Sequence, residues 1–528
     1  MTPAKPKAKA KAKAKAKTKA KVKAKATATP APTVSKARTR DIVASLWSLC
    51  HVLRDDGITY HEYVIELTYL LFLKMVEETA SDDLIPKGWR WQDLRAVEGL
   101  DRLNFYKRLL LNLGQSSFID ERTGKNQRVQ ARVVAIFAGA NTSLRNAKNL
   151  TKLVDNIDKL DWYSAREEGL GDLYEGLLEK NANEKKSGAG QYFTPRPLIE
   201  CIVELVKPMA GELIQDPAAG TGGFLVHAHR AIMLANDEFF GRSDEEEKFQ
   251  RTQALGGMEL VPDTHRLLLM NLLLHKTEGA VHLGDTLSSA GKELPKVDVI
   301  LTNPPFGTKT GGGAPTRDDF TYPTSNKQLA FLQHVYRGLR PGGRAAVVLP
   351  DNVLFEAGTG QQIRADLMNK CELHTILRLP TGIFYAAGVK TNVLFFTRGP
   401  ADRDKKNTKA VWIYDMRTNT PTFGKRTPLT FGHFAEFIRC FGDDPYGRSK
   451  RKDVGEEGRW RRFTRKEIGE RGDNLDISWL RDDSVERVED LPEPDVLAAE
   501  IMGHLQVAMT EMEALAELLS GGQERKFV

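Results

Sequence analysis

The sequence has no long apolar run. The best candidate, Tyr63 to Met75, is interrupted by Glu66 and Lys74, well short of the ~18 uninterrupted apolar residues that a membrane span needs. No apolar segment follows the basic N-terminus, which excludes a secretory signal there. Cysteine is scarce: Cys50, Cys201, Cys371 and Cys440 are widely spaced and form no C-x-x-C pair, so a reducing, cytoplasmic setting is the simple expectation. The eleven histidines include no H-E-x-x-H or similar ligand spacing, and no metal is expected. Acid is missing from residues 1–40, which hold twelve lysines and two arginines and so contribute +14. The other 488 residues therefore carry −7 against the chain's +7. Basic character is thus a property of the tail, and the body gives no charge argument for nucleic acid.

What is present divides the chain. Residues 1–40 alternate Lys and Ala with no apolar face to bury, and are expected to be a disordered basic tail. Each lysine there could displace a counterion from DNA; a solubilising extension is the alternative. Residues 41–180 repeat apolar residues at three- and four-residue spacing, as in Leu46 to Leu49, Tyr63 to Val76 and Trp162 to Leu177, and predict an all-α docking domain. Residues 181–400 alternate strand and helix patterns, which predicts an α/β fold with a doubly wound, largely parallel Rossmann-like sheet. A shorter α/β extension with a charged loop fills 401–490. Residues 491–528 predict a C-terminal helix whose apolar stripe, including Leu497, Ile501, Leu505 and Met512, reads as a partner or core seam.

Within 181–400 the polar residues gather where chain direction changes. Gln191-Tyr192-Phe193-Thr194-Pro195-Arg196-Pro197 precedes an amphipathic helix, with Thr194 a candidate N-cap and Pro195 at the first helical position. The loop before that cap is suited to covering a cofactor, with Tyr192 or Phe193 packed on it; a well-capped helix start is the plain alternative. Leu213 to Asp216 reads as a short strand leading through Gly220-Thr221-Gly222-Gly223 into a helix. That turn lacks both the Lys-Ser/Thr of a phosphate loop and the spacing of a dinucleotide fingerprint, and fits the amino-acid end of a cofactor better. The next strands end at Glu259, placed to accept ribose hydroxyls, and at Asp285, placed to accept from an adenine amino group.

The run Val297 to Leu301 reads as a buried strand opening into Asn303-Pro304-Pro305-Phe306, a loop stiffened by two prolines. An aromatic exocyclic amine is a poor nucleophile because its lone pair is delocalised into the ring. Acceptors on its two hydrogens, the Asn303 side-chain oxygen and the Pro304 carbonyl, would draw that pair out of conjugation, with Phe306 stacked on the ring. The loop to Asn326, with Gly311-Gly312-Gly313, is expected to be a mobile lid.

These motifs, in this order, resemble those of γ-type amino methyltransferases. The chain from about 41 to 520 is further similar to the modification, HsdM-like, subunit of type I restriction-modification systems, through His51 to Tyr60, Thr324 to Leu329, Leu379 to Phe384 and Leu475 to Leu480. The resemblance implies methyl transfer from S-adenosyl-L-methionine to N6 of a flipped adenine in double-stranded DNA. Partners would be a specificity subunit holding two copies of this chain and a motor-nuclease subunit. It implies that Asn303, Pro304, Pro305 and Phe306 are catalytic. Gln191 to Arg196, Asp216, Gly220 to Gly223, Glu259 and Asp285 would hold the cofactor. The Lys-Ala tail is outside the resemblance. Two rival readings are a stand-alone protein-glutamine or RNA-amine methyltransferase sharing the Asn-Pro-Pro turn, and a DNA-packaging protein with a degenerate enzyme body.

Overall fold

The computed structural model describes residues 33–49, 57, 60–79, 82–163, 170–184, 193–306, 315–384, 389–401, 406–424, 427–481 and, intermittently, 496–512. Most of the basic tail, Gln191, Tyr192, the triglycine and most of the C-terminal helix lie outside them.

The helical region begins earlier than its composition suggests. Its first helix is Thr33–Ser48, not a helix from residue 41, because Ile42, Val43, Leu46 and Trp47 are buried and extending a helix backwards costs less than starting one. The helix Tyr60–Glu78 runs through the middle, apolar on nearly every side. Its two interrupting charges are satisfied: Glu66 accepts from Tyr106 Oη at 3.0 Å and Ser143 N at 2.6 Å, and Lys74 pairs with Glu77, Glu78 and Asp158. Among the described residues no helix is long and apolar enough to cross a membrane. The region is not all helical. Strands β1 (Ser117–Ile119) and β2 (Asn126–Arg128) form an antiparallel hairpin, each too short for an alternating pattern to be read from sequence.

A nine-stranded sheet follows: β3 (Ile214–Asp216), β4 (Leu255–Glu259), β5 (Ala280–Leu283), β6 (Val297–Thr302), β7 (Leu339–Pro350), β8 (Cys371–Arg378), β9 (Thr391–Arg398), β10 (Ala410–Asp415) and β11 (Trp460–Thr464). Their order is β11-β10-β8-β9-β7-β6-β3-β4-β5. Five of the eight pairings are parallel, and the three antiparallel ones involve β9 and β11. β9 reverses because, among the described residues, no crossover helix separates it from β8, and a connection of this length turns the chain back beside its predecessor.

Strand order reverses between β3 and its hydrogen-bonded neighbour β6. The carboxyl ends of these two strands, Asp216 and Thr302-Asn303, therefore border the crevice where such sheets bind ligands. The helix Pro262–Leu274 joins the two regions: Leu267 and Met270 belong to the helical core, while Leu268 and Leu272 belong to the core of the sheet.

Candidate active site

The loop Asn303 to Phe306 is fixed from three sides. Pro304 is buried, the Pro305 carbonyl accepts from Gln328 Nε2 at 3.2 Å, and Phe306 meets Phe384 edge to face at 5.5 Å. Asn303 Nδ2 donates to Thr194 Oγ1 at 3.0 Å, while Asn303 Oδ1 is buried with no hydrogen-bond partner among the described residues. A buried acceptor without a donor costs ~1–3 kcal/mol, so an amide held by its nitrogen with its oxygen unmatched is poised to receive a donor.

Thr194 does not cap the helix. The helix runs Arg196–Val206 with Pro195 in the capping position and no side-chain cap. The Pro195 carbonyl takes the amides of Leu198 and Ile199, which leaves the Thr194 hydroxyl to Asn303. Phe193 is turned into the seam between the two regions, beside Leu178, Arg196 and Thr221. Arg196 faces Glu175 at 3.3 Å and Glu179 at 3.8 Å. Burial alone would raise the Glu175 carboxyl, but its electrostatic interactions with the neighbouring His227, Arg196, His275 and Arg230 outweigh it and hold Glu175 below its ordinary value.

The glycine turn is open above and packed below. A Cβ at Gly220, where φ is +55°, would meet only the Ala218 carbonyl at 4.0 Å. At Gly222 and Gly223 it would strike Leu268 at 2.4 Å and Ile199 at 2.8 Å. Asn271 Nδ2 pins the Thr221 carbonyl at 2.9 Å. Glu259 braces the turn with both oxygens, accepting from Gly220 N and Val261 N at 2.9 Å each. Burial raises its pKa, against the pull of these amides. Asp216, also accepting from Ala218 N, is pushed up to about 7 by burial, with the Glu259 charge adding to the rise and Thr302 and Ala218 opposing it. Asp285 is exposed and accepts from Leu287 N at 2.8 Å.

The expected lid is a wall in its described half. Arg317, its side chain 5% exposed, forks onto Asp319 at 2.6 and 2.7 Å, donates to the Thr286 carbonyl and covers Phe320 at 4.6 Å. Tyr322 exchanges hydrogen bonds with Gln333. The segment thus ties the end of β5 to the helix Lys327–Gly338. Sequence reasoning missed four contributors: Glu175, Asn271, Gln328 and Gly257, whose Cβ would lie 2.1 Å from the Asp216 carbonyl. Only Gly257, in the Gly-Gly of β4, left a signal.

Residues 165–487 match the N-6 DNA Methylase family model. The chain is 50% identical over 522 residues to the StySPI type I restriction enzyme methylase subunit of Salmonella potsdam, covering 92% of this chain and 96% of that one. It is 49% identical to the EcoKI methylase subunit of Escherichia coli K12 over the same shares. The crystal structure of the EcoKI M protein superposes with a TM-score of 0.53 at 46% identity, covering 91% of this chain and 96% of that one.

Proposed function

The chain belongs to the N-6 DNA methylase family, among the type I restriction enzyme methylase subunits, and from that membership we propose that it methylates N6 of a flipped adenine in double-stranded DNA. The methyl donor is S-adenosyl-L-methionine, and the site is chosen by a separate specificity subunit. The observation that carries the chemistry is the unmatched, buried Asn303 Oδ1 beside a rigid Pro304.

The residues fit the cofactor. The open face of Gly220 lets a ligand approach the backbone, Glu259 and Asp285 stand at the ends of adjacent strands for ribose and adenine, and Arg196 with Thr194 flank the methionine end. The bound cofactor supplies an electrophilic methyl carbon. This chain does the rest: Asn303 Oδ1 and the Pro304 carbonyl accept the two amine hydrogens, localising the nitrogen lone pair for attack. Phe306, held edge to face by Phe384, stacks on a base that has left the duplex. The methylated nitrogen, briefly cationic, releases its proton to water.

Ile501, Leu505 and Met512 of the C-terminal segment are 55–71% exposed, which supports a docking role toward the specificity subunit, with two copies of this chain on one such subunit and a motor-nuclease subunit added for restriction. The test is transfer of labelled methyl to duplex DNA with and without the specificity subunit. Label on adenine N6 only with the partner, and at least ~100-fold less with Asn303→Ala, supports the reading; label on protein or RNA, or on DNA without any partner, refutes it.

A further inference from the structure

Thr194 and Asn303 lie 109 residues apart, on two segments that the proposed function gives different tasks, cofactor binding and amine activation. Their hydrogen bond links those tasks. A threonine hydroxyl has one proton and two lone pairs, and a carboxamide has donors on nitrogen and acceptors on oxygen. With the hydroxyl proton free, the Asn303 amide can turn either face to Thr194, because the hydroxyl can donate to oxygen or accept from nitrogen. Once another acceptor claims that proton, the hydroxyl can only accept. Asn303 must then offer Nδ2, the arrangement observed at 3.0 Å, and Oδ1 is left buried and unmatched among the described residues. The opposite face would set an amide donor against the donor hydrogens of the target amine.

We propose that Thr194 is a positioning residue that makes the orientation of Asn303 depend on cofactor occupancy. The acceptor of its proton is the carboxylate at the methionine end of the cofactor. That assignment rests on two features: Thr194 lies two residues before Arg196, a partly buried cation, and its hydroxyl is excused from helix capping by Pro195. Amine recognition is therefore weak in the empty enzyme and strong in the loaded one. The inference rests on the reading of Asn303 as the amine's acceptor.

The test uses the assembled complex and two duplexes carrying its methylation site, one with adenine and one with purine, which lacks the amine, at the target position. Affinity is measured with and without sinefungin, an unreactive cofactor analogue that keeps the carboxylate. In the unmodified protein and in Thr194→Ser, sinefungin raises the adenine-over-purine affinity ratio by about tenfold, the worth of one well-made hydrogen bond. In Thr194→Val, at saturating sinefungin, the ratio does not move, and kcat at saturating cofactor falls. A Thr194→Val protein with unchanged kcat, a raised KM for cofactor and an intact sinefungin effect makes Thr194 a cofactor ligand only and overturns the inference. In that case an inactive Asn303→Ala leaves the proposed function standing. If Asn303→Ala keeps full activity, the fault lies in the reading of Asn303 itself.

Discussion

At the scale of single residues, the chain buries a carboxyl in its sheet and another in its helical region for different uses. Asp216 sits at the ligand crevice, whereas Glu66 lies in the middle of the helical region, 1% exposed, with burial pushing it up to about 7 against the hydrogen bonds it accepts. Its folded value is above its ordinary one of 4.5, so both states are protonated below pH 4.5 and nothing is lost there. Between 4.5 and about 7 the unfolded chain ionises first, and stability falls as pH rises. Glu66→Gln keeps an acceptor for Ser143 N and can donate to Tyr106, but does not ionise. We therefore expect its melting temperature to equal that of the unsubstituted protein at pH 4.5 and to exceed it at pH 8, by up to about 3 kcal/mol of stability. A difference independent of pH would show that packing, not ionisation, governs this position. Composition showed only that Glu66 interrupts an apolar run. Its partners come from Tyr106 and Ser143, contacts that no local pattern encodes.

At the scale of elements, the helix Arg196–Val206 carries the site at one end and is anchored at the other. Arg344 of β7, 2% exposed, donates to the carbonyls of Val206 and Lys207 and forks onto Glu212 at 2.7 and 2.9 Å. Losing one partner of a buried pair leaves the other charge uncompensated and costs ~3–5 kcal/mol. Arg344→Ala should therefore lower the urea midpoint strongly, and Arg344→Met with Glu212→Gln should recover a substantial part. Equal loss in both variants would locate the effect in the two carbonyls instead.

The core strands and helices of the sheet were legible because buried parallel strands read as apolar runs between glycine turns. β7 shows where that fails: it begins at Leu339, ahead of the apolar run that starts at Ala345, since Arg340-Pro341-Gly342-Gly343 reads as a turn. In the loop after Phe306, whose triglycine lies outside the described residues, composition carries no sign that Arg317 reaches back 31 residues to the Thr286 carbonyl. At the site the motif residues were legible as a linear order, but the Thr194 to Asn303 contact was not, because local capping rules assigned Thr194 to its own helix.

At the scale of the molecule, the helical region, the sheet and the basic tail differ in how they would meet DNA. The body carries net negative charge, so its hold on a duplex must come from shaped contacts and from partners, whereas residues 1–32 hold eleven lysines and no acid. If these lysines neutralise phosphates, each one engaged steepens the decline of log affinity with log salt by about 0.9. Removing residues 1–32 from the assembled complex should weaken DNA binding at low salt and flatten that slope by several units. It should leave methylation kcat at saturating DNA unchanged, because none of the site residues lies there. Affinity measured from 50 to 200 mM salt decides the matter. An unchanged slope would mean that the tail never touches the duplex and that its charge serves solubility; a fall in kcat would mean that it reaches the site. The rival reading as a packaging protein makes the opposite demand, since there the tail alone should carry function and Asn303→Ala should leave it intact.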